Sequence, residues 1–170
     1  MEYSPDTCAC FTGHRAMTDE ELKSSALLVS EQIKTLYAKG IRNYYAGGAI
    51  GFDLAAAVTV INMKRVYPDI TLNLALPCPN YQSKWTSSQV ELFDRVRARA
   101  DNEVYVSESY HRGCMQVRNK YMVDKSAVCI AYLREKKGGT YNTVTYALKK
   151  GRQVINLTDV PLTDQISFDF

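Results

Sequence analysis

The chain is poor in several features that would narrow its chemistry. Only two of its 170 residues are histidine, His14 and His111, and none of its five cysteines forms a Cys-x-x-Cys pair. No set with the spacing of a zinc site can be assembled from them, so no metal is expected. Charge of one sign is scarce too: 21 Lys and Arg stand against 18 Asp and Glu, a net charge of +3. Bulk attraction to nucleic acid is therefore not expected, although a local basic patch stays open. No apolar run approaches the roughly 18 residues that cross a bilayer, and no signal-peptide pattern heads the chain. The cysteines, Cys8, Cys10, Cys78, Cys114 and Cys129, are odd in number. A reduced, cytoplasmic protein is the expectation, with no membrane partner. The cysteines read as packing residues, Cys129 in mid-strand.

What is present is ordinary for a globular chain. Hydrophobic residues make up 46% and charged residues 23%, which argues against disorder. The length predicts a single domain over 1–170, its core at about 7–157.

Strand and helix signals alternate. Strands are predicted at Thr7–Thr12, Ile41–Ala46, Ile70–Leu76, Val104–Val106, Ala127–Leu133 and Gln153–Leu157. Between them, helices are predicted from the Thr18 cap to Gly40, and over Leu54–Val66, Trp85–Ala100, Met115–Lys125 and Gly138–Lys150. The second helix is apolar on most sides and should be well buried. The tail from Thr158 reads as irregular. Six strands alternating with five helices predict an α/β, three-layer, Rossmann-like doubly wound fold. Its sheet is mostly parallel, with helices on both faces and ligands at the carboxyl ends of the strands.

Glycine turns follow the first, second and fifth strands, at that same end. The richest is Gly47-Gly48-Ala49-Ile50-Gly51-Phe52-Asp53, which enters an alanine-rich helix. Such glycines let a ligand approach the main chain, and the helix N-terminus behind them suits a phosphate. It is not the strict Gly-x-Gly-x-x-Gly fingerprint, and it follows the second strand rather than the first. Asp53 either caps its helix or accepts from ribose hydroxyls. After the first strand, Thr12-Gly13-His14-Arg15 offers a close approach at Gly13 and a phosphate fork at Arg15. His14 is a general acid or base, or equally a turn stabiliser. Gly138-Gly139-Thr140, followed by Asn142 and Thr143, is a capped helix start or a second phosphate turn. Arg118 is either a surface cation or enters the site from the helix after the fourth strand. Tyr81, Trp85 and Tyr110 could stack on a base, line a pocket, or simply pack.

In order and spacing these segments resemble the SLOG superfamily of Rossmann-like proteins, to which the LOG-type phosphoribohydrolases and the DNA-processing protein DprA belong. Within it the chain is most similar to the YpsA branch of bacterial and phage proteins. The resemblance runs from Thr12 to Leu157. Thr12-Gly13-His14-Arg15 is similar to that branch's first-strand motif, and Gly47 to Asp53 to the Gly-x-Ala-x-Gly-x-Asp turn of DprA. Arg118 to Ile130, running into Gly138-Gly139-Thr140, is similar to the LOG arrangement. LOG enzymes carry a glutamate three residues after the threonine of that turn, where this chain has Thr143; Asp53 is the best-placed carboxylate left. The resemblance implies a small-molecule nucleotide or NAD/ADP-ribose-like ligand that is bound or sensed, and no other cofactor. The alternatives are a LOG-like nucleoside monophosphate phosphoribohydrolase, with Asp53, Arg118 and His14 as catalytic candidates, and a DprA-like single-strand binder. A homo-oligomer is compatible with each.

Overall fold

The computed structural model describes residues 2–160, so the irregular tail expected beyond Thr158 lies, from residue 161 on, outside the described residues. Six strands, β1 (Cys8–Gly13), β2 (Asn43–Ala46), β3 (Thr71–Leu76), β4 (Asn102–Tyr105), β5 (Val128–Tyr132) and β6 (Gln153–Asn156), form one sheet. Five helices separate them: α1 (Asp19–Ala38), α2 (Phe52–Met63), α3 (Ser87–Arg99), α4 (Cys114–Asp124) and α5 (Gly138–Lys149). Every strand pair is parallel and the order is β4-β3-β2-β1-β5-β6. The Rossmann-like, doubly wound architecture read from the alternation is the one observed.

Local chemistry explains where the elements start and stop. Thr18 closes a capping box with Glu21, and Thr86 closes one with Gln89, each satisfying free amides of a first turn. The second box sets the start of α3 beyond the expected Trp85. The helix α2 begins two residues before the expected Leu54, because Gly51 (φ +84°) is its N-cap and the Phe52 N–H already donates to the His14 carbonyl at 3.1 Å. The edge strand β4 lies two residues earlier than expected at its start. It is mostly exposed, so it carries no apolar alternation to read. Its register is fixed instead by polar contacts, with Asn102 opposite Asn73 and donating to its Oδ1 at 2.8 Å.

Two apolar layers cover the sheet. On one face α1, α2 and α3 close over Phe11, Tyr44, Leu72, Leu74 and Ile130. Helix α2 sits between the other two with nine of its twelve residues buried, as its apolar surface requires. On the other face α4 and α5 pack over Cys8, Cys10, Tyr45, Cys129 and Ala131. All five cysteines are buried and unpaired. Cys8, Cys10 and Cys129 fall in one cluster, the same-face placement expected from a two-residue spacing on a strand. Winding runs outward from β1 in one direction and from β5 in the other. The topological switch point therefore lies between these two central strands, where open α/β sheets leave a crevice at the carboxyl ends. Among the described residues no helix is long and apolar enough to cross a membrane.

Candidate functional site

A cavity of about 350 Å³ opens at that switch point. Thr12, Gly13, His14 and Arg15 line it from the end of β1, and Ala49 and Asp53 from the turn into α2. Met115, Gln116, Arg118 and Asn119 contribute from α4, Gly139 and Thr140 from α5. Seven residues singled out from the sequence thus meet around one space: Gly13, His14, Arg15, Asp53, Arg118, Gly139 and Thr140. Gln116 and Asn119 were not singled out. Three residues apart on α4, they share a face of the helix, but nothing in their residue type marks that face as a site.

The glycine turn after β2 does something other than expected. Gly47, Gly48 and Gly51 do not line the cavity; protein atoms occupy the space a side chain would fill. A Cβ on Gly47 would fall 2.5 Å from the Arg118 guanidinium and 2.7 Å from the Asp53 carboxylate. One on Gly51 would fall 2.4 Å from the Arg15 carbonyl oxygen. Gly48 (φ +70°) is covered by Leu76 and Tyr81, and its carbonyl accepts from the Tyr81 hydroxyl at 2.8 Å. The amide at the start of α2 is spent on His14. These glycines admit close approach by the protein's own groups, which then present Asp53 and Arg118 to the cavity.

Asp53 and Arg118 are 6% and 3% exposed. The Arg118 Nη1 donates to the Gly47 carbonyl, and its Nε donates to Asn119 Oδ1 at 2.7 Å. Asp53 Oδ2 accepts from the Ala49 N–H at 3.4 Å. Burial pushes the Asp53 carboxyl up, outweighing Arg118, the Ala49 and Gly47 amides and Arg15, which all pull it down. Burial also lowers the Arg118 guanidinium, with Asp53 opposing, yet an arginine stays charged. The cavity therefore has a fixed buried cation beside a carboxyl whose proton is held unusually well. Arg15 is exposed and makes no hydrogen bond or ion pair among the described residues, so its fork is open to the cavity.

Helix α5 supplies the remaining donors. Its N-cap, Lys137, makes no side-chain cap, which leaves the amides of its first turn without the usual side-chain partner. Gly139 and Thr140 of that turn face the cavity, and Gly138 (φ +86°) makes the turn into the helix with open space around it. Asn142 lines a neighbouring cavity instead. Thr143, at the position of the LOG glutamate, donates its hydroxyl to the Gly139 carbonyl at 2.9 Å.

Of its two sequence readings, His14 has the contact of a turn stabiliser: Nε2 accepts from the Arg134 backbone N–H at 3.0 Å. Nε2 is then bare and the ring neutral. Burial, seconded by the Arg134 charge, lowers the His14 pKa and favours that state. Arg134 itself reaches back to Glu21 and to the Ala16 carbonyl, tying the β5–α5 loop across the switch point. Tyr81 and Trp85 pack edge-on against each other and against Phe93, which is the packing alternative. Tyr110 alone of the three rim aromatics is well exposed, at 73%. Among the described residues no group of three or more His, Cys, Asp or Glu is placed to hold a metal ion.

Comparison with known proteins bears on the fold and the family. Solved structures of similar fold include DNA processing protein A from Helicobacter pylori, described for its single-stranded DNA binding mode. It has a TM-score of 0.65 over 96% of this chain and 73% of that one; at 17% identity the likeness concerns the fold alone. The SPbeta prophage-derived protein YoqJ of Bacillus subtilis is 30% identical over 76% of this chain and 81% of its own length. A UPF0398 protein of Halalkalibacterium halodurans is 27% identical over 72% of this chain, and is matched over 66% of its own length. The family model YpsA, described as the YspA SLOG family, matches residues 10–163. With most of its length matched, every cavity-lining residue included, the chain belongs to the YpsA family of SLOG proteins.

Proposed function

We propose that the cavity binds a nucleotide or nucleotide-derived molecule through its phosphate. One observation carries this reading: the uncapped start of α5, the open fork of Arg15 and the buried Arg118 all border the same space. Main-chain amides at a helix N-terminus and guanidinium forks are the groups that recognise phosphate. Calorimetry of the full chain against a panel of nucleoside mono- and diphosphates tests it. A charge-assisted hydrogen bond contributes about 1.5–3 kcal/mol, so Arg15→Glu weakens binding by at least tenfold while the exposed position leaves the fold intact. No binding by the wild type, or equal binding by Arg15→Glu, refutes the reading.

A second reading rests on Asp53. A buried carboxyl with a raised pKa beside a substrate cavity has the properties of a general acid, and the LOG-like alternative needs one for N-glycosidic cleavage now that Thr143 serves its own helix. It predicts release of free base from a nucleoside monophosphate and loss of that release in Asp53→Asn. The single-strand reading draws less support, because two of the three aromatics available for stacking are engaged with each other.

A further inference from the structure

A second cavity of about 260 Å³ adjoins the first, lined by Gln116, Asn119, Lys120, Asn142, Thr143 and Tyr146. Gln116 and Asn119 border both spaces, so the two are lobes of one groove between α4 and α5. Gly139, on the wall of the first lobe, lies close to the shared Gln116: an added Cβ would sit 3.4 Å from its carboxamide nitrogen.

The lobes differ in chemistry. The first sets the Asp53 carboxyl within the field of its cations, Arg118 and Arg15. The second is lined by one ionised group, Lys120, which joins no ion pair among the described residues and lies 5.4 Å from the Tyr146 ring centroid. Tyr146 turns its own hydroxyl away to Asp124. Asn119 Oδ1 is taken by Arg118, which leaves the Asn119 amide as a donor. Two more carboxamides, Gln116 and Asn142, complete the wall. An ammonium, several amide donors and no carboxylate suit a unit rich in acceptors and negatively charged.

Resting on the phosphate reading of the first lobe, we infer that the ligand is a nucleotide extended through its phosphate into the second lobe. The extension is a further phosphorylated, hydroxyl-bearing unit recognised by Lys120, Asn119 and Asn142. A bare mononucleotide fills one lobe and leaves the other to water.

Calorimetry with AMP and ADP-ribose as probes tests this, because they share adenosine and one phosphate and differ in the extension. The expected result is ADP-ribose binding at least tenfold tighter than AMP to the wild type, with that ratio falling toward one in the Lys120→Gln/Asn142→Leu double variant. Both substitutions are at exposed helix positions, and matched thermal denaturation curves establish that the variant folds. Equal affinity of the wild type for the two probes, AMP binding alone, or a ratio that survives the double variant overturns the inference while leaving the phosphate site standing. Failure of both probes to bind overturns the two together.

Discussion

Replacing Arg118 with methionine separates electrostatics from packing at the centre of the site. The substitution keeps much of the side-chain volume but removes a buried cation, and with it the hydrogen bond to the Gly47 carbonyl and the charge that opposes burial of Asp53. Breaking one side of a buried charge arrangement costs about 3–5 kcal/mol, a large share of the roughly 5–15 kcal/mol that stabilises a domain. The sign with pH follows from Asp53. Its folded pKa is already raised, so its contribution to stability is greatest below the unfolded value and is lost as pH rises through the folded one. Loss of Arg118 raises that pKa further. The stability deficit of Arg118→Met therefore grows between pH 4.5 and pH 8. Adding Asp53→Asn removes the uncompensated charge and recovers about 1–3 kcal/mol of the deficit, within the range of coupling between neighbours. Urea denaturation followed by circular dichroism at pH 4.5, 6 and 8, on both single variants and the double, measures all of this. A deficit that is the same at the three pH values, with strictly additive singles, refutes the electrostatic account. Should Arg118→Met fail to fold at neutral pH, Arg118→Lys retains the charge, loses the fork and gives a smaller, flatter deficit.

Three further outcomes follow from the same structure. Gly13→Ala places a Cβ 2.4–2.5 Å from the side chain of fully buried Phe52; overpacking of this kind costs about 1–3 kcal/mol in urea titrations, and a neutral Gly13→Ala would contradict the packing. Thr18→Ala removes half of the α1 capping box and costs about 1 kcal/mol, measured as a lower midpoint of thermal unfolding. His14 has a lowered folded pKa, so its contribution to stability is present above its unfolded value, about 6.5, and is lost as pH falls through the folded value. Protection of the Arg134 amide, taken relative to its intrinsic exchange rate at each pH, falls over that acid range in the wild type, and protection insensitive to the state of His14 would count against the loop link.

Much of the fold was legible because each signal was local. Capping threonines, alternating hydrophobic periods and glycine stops each reflect chemistry within a few residues, and all six strands and five helices sit within a few residues of their predicted places. The edge strand β4 was read least well, since its position depends on Asn73 across the sheet rather than on its own pattern. The site was legible as a set of turns but not as a set of contacts. Gly47, Gly48 and Gly51 announced close approach without revealing what approaches, and only tertiary structure supplies Arg118, Tyr81 and the β1 loop as the neighbours. Gln116 and Asn119 stayed unmarked because carboxamides on a helix carry no distinctive spacing. Thr143 was visible as a departure from the LOG pattern, and its hydrogen bond to Gly139 shows the departure to be structural as well as chemical.

The two cations of the cavity are prepared to different degrees, and this bears on how an anion would be held. Arg118 has given up its rotamer freedom in folding: it is buried and held by Gly47 and Asn119. An ordered arginine donates to an arriving oxyanion without a new entropic cost, whereas ordering a free side chain costs about 0.5–1.5 kcal/mol on binding. Arg15, exposed and unpartnered, must meet that cost. The same pre-organisation explains why the glycine turn is dense with protein atoms instead of open to a ligand. Gly47 has no side chain because Arg118 and Asp53 occupy that space, and Asp53 beside it offsets the cost of keeping a guanidinium away from water when no anion is bound. If a phosphate binds as proposed, its position would be set by the buried arginine and the α5 amides, and Arg15 would add attraction that salt can screen. A site built this way would fix where a phosphate sits more strictly than how tightly it is held.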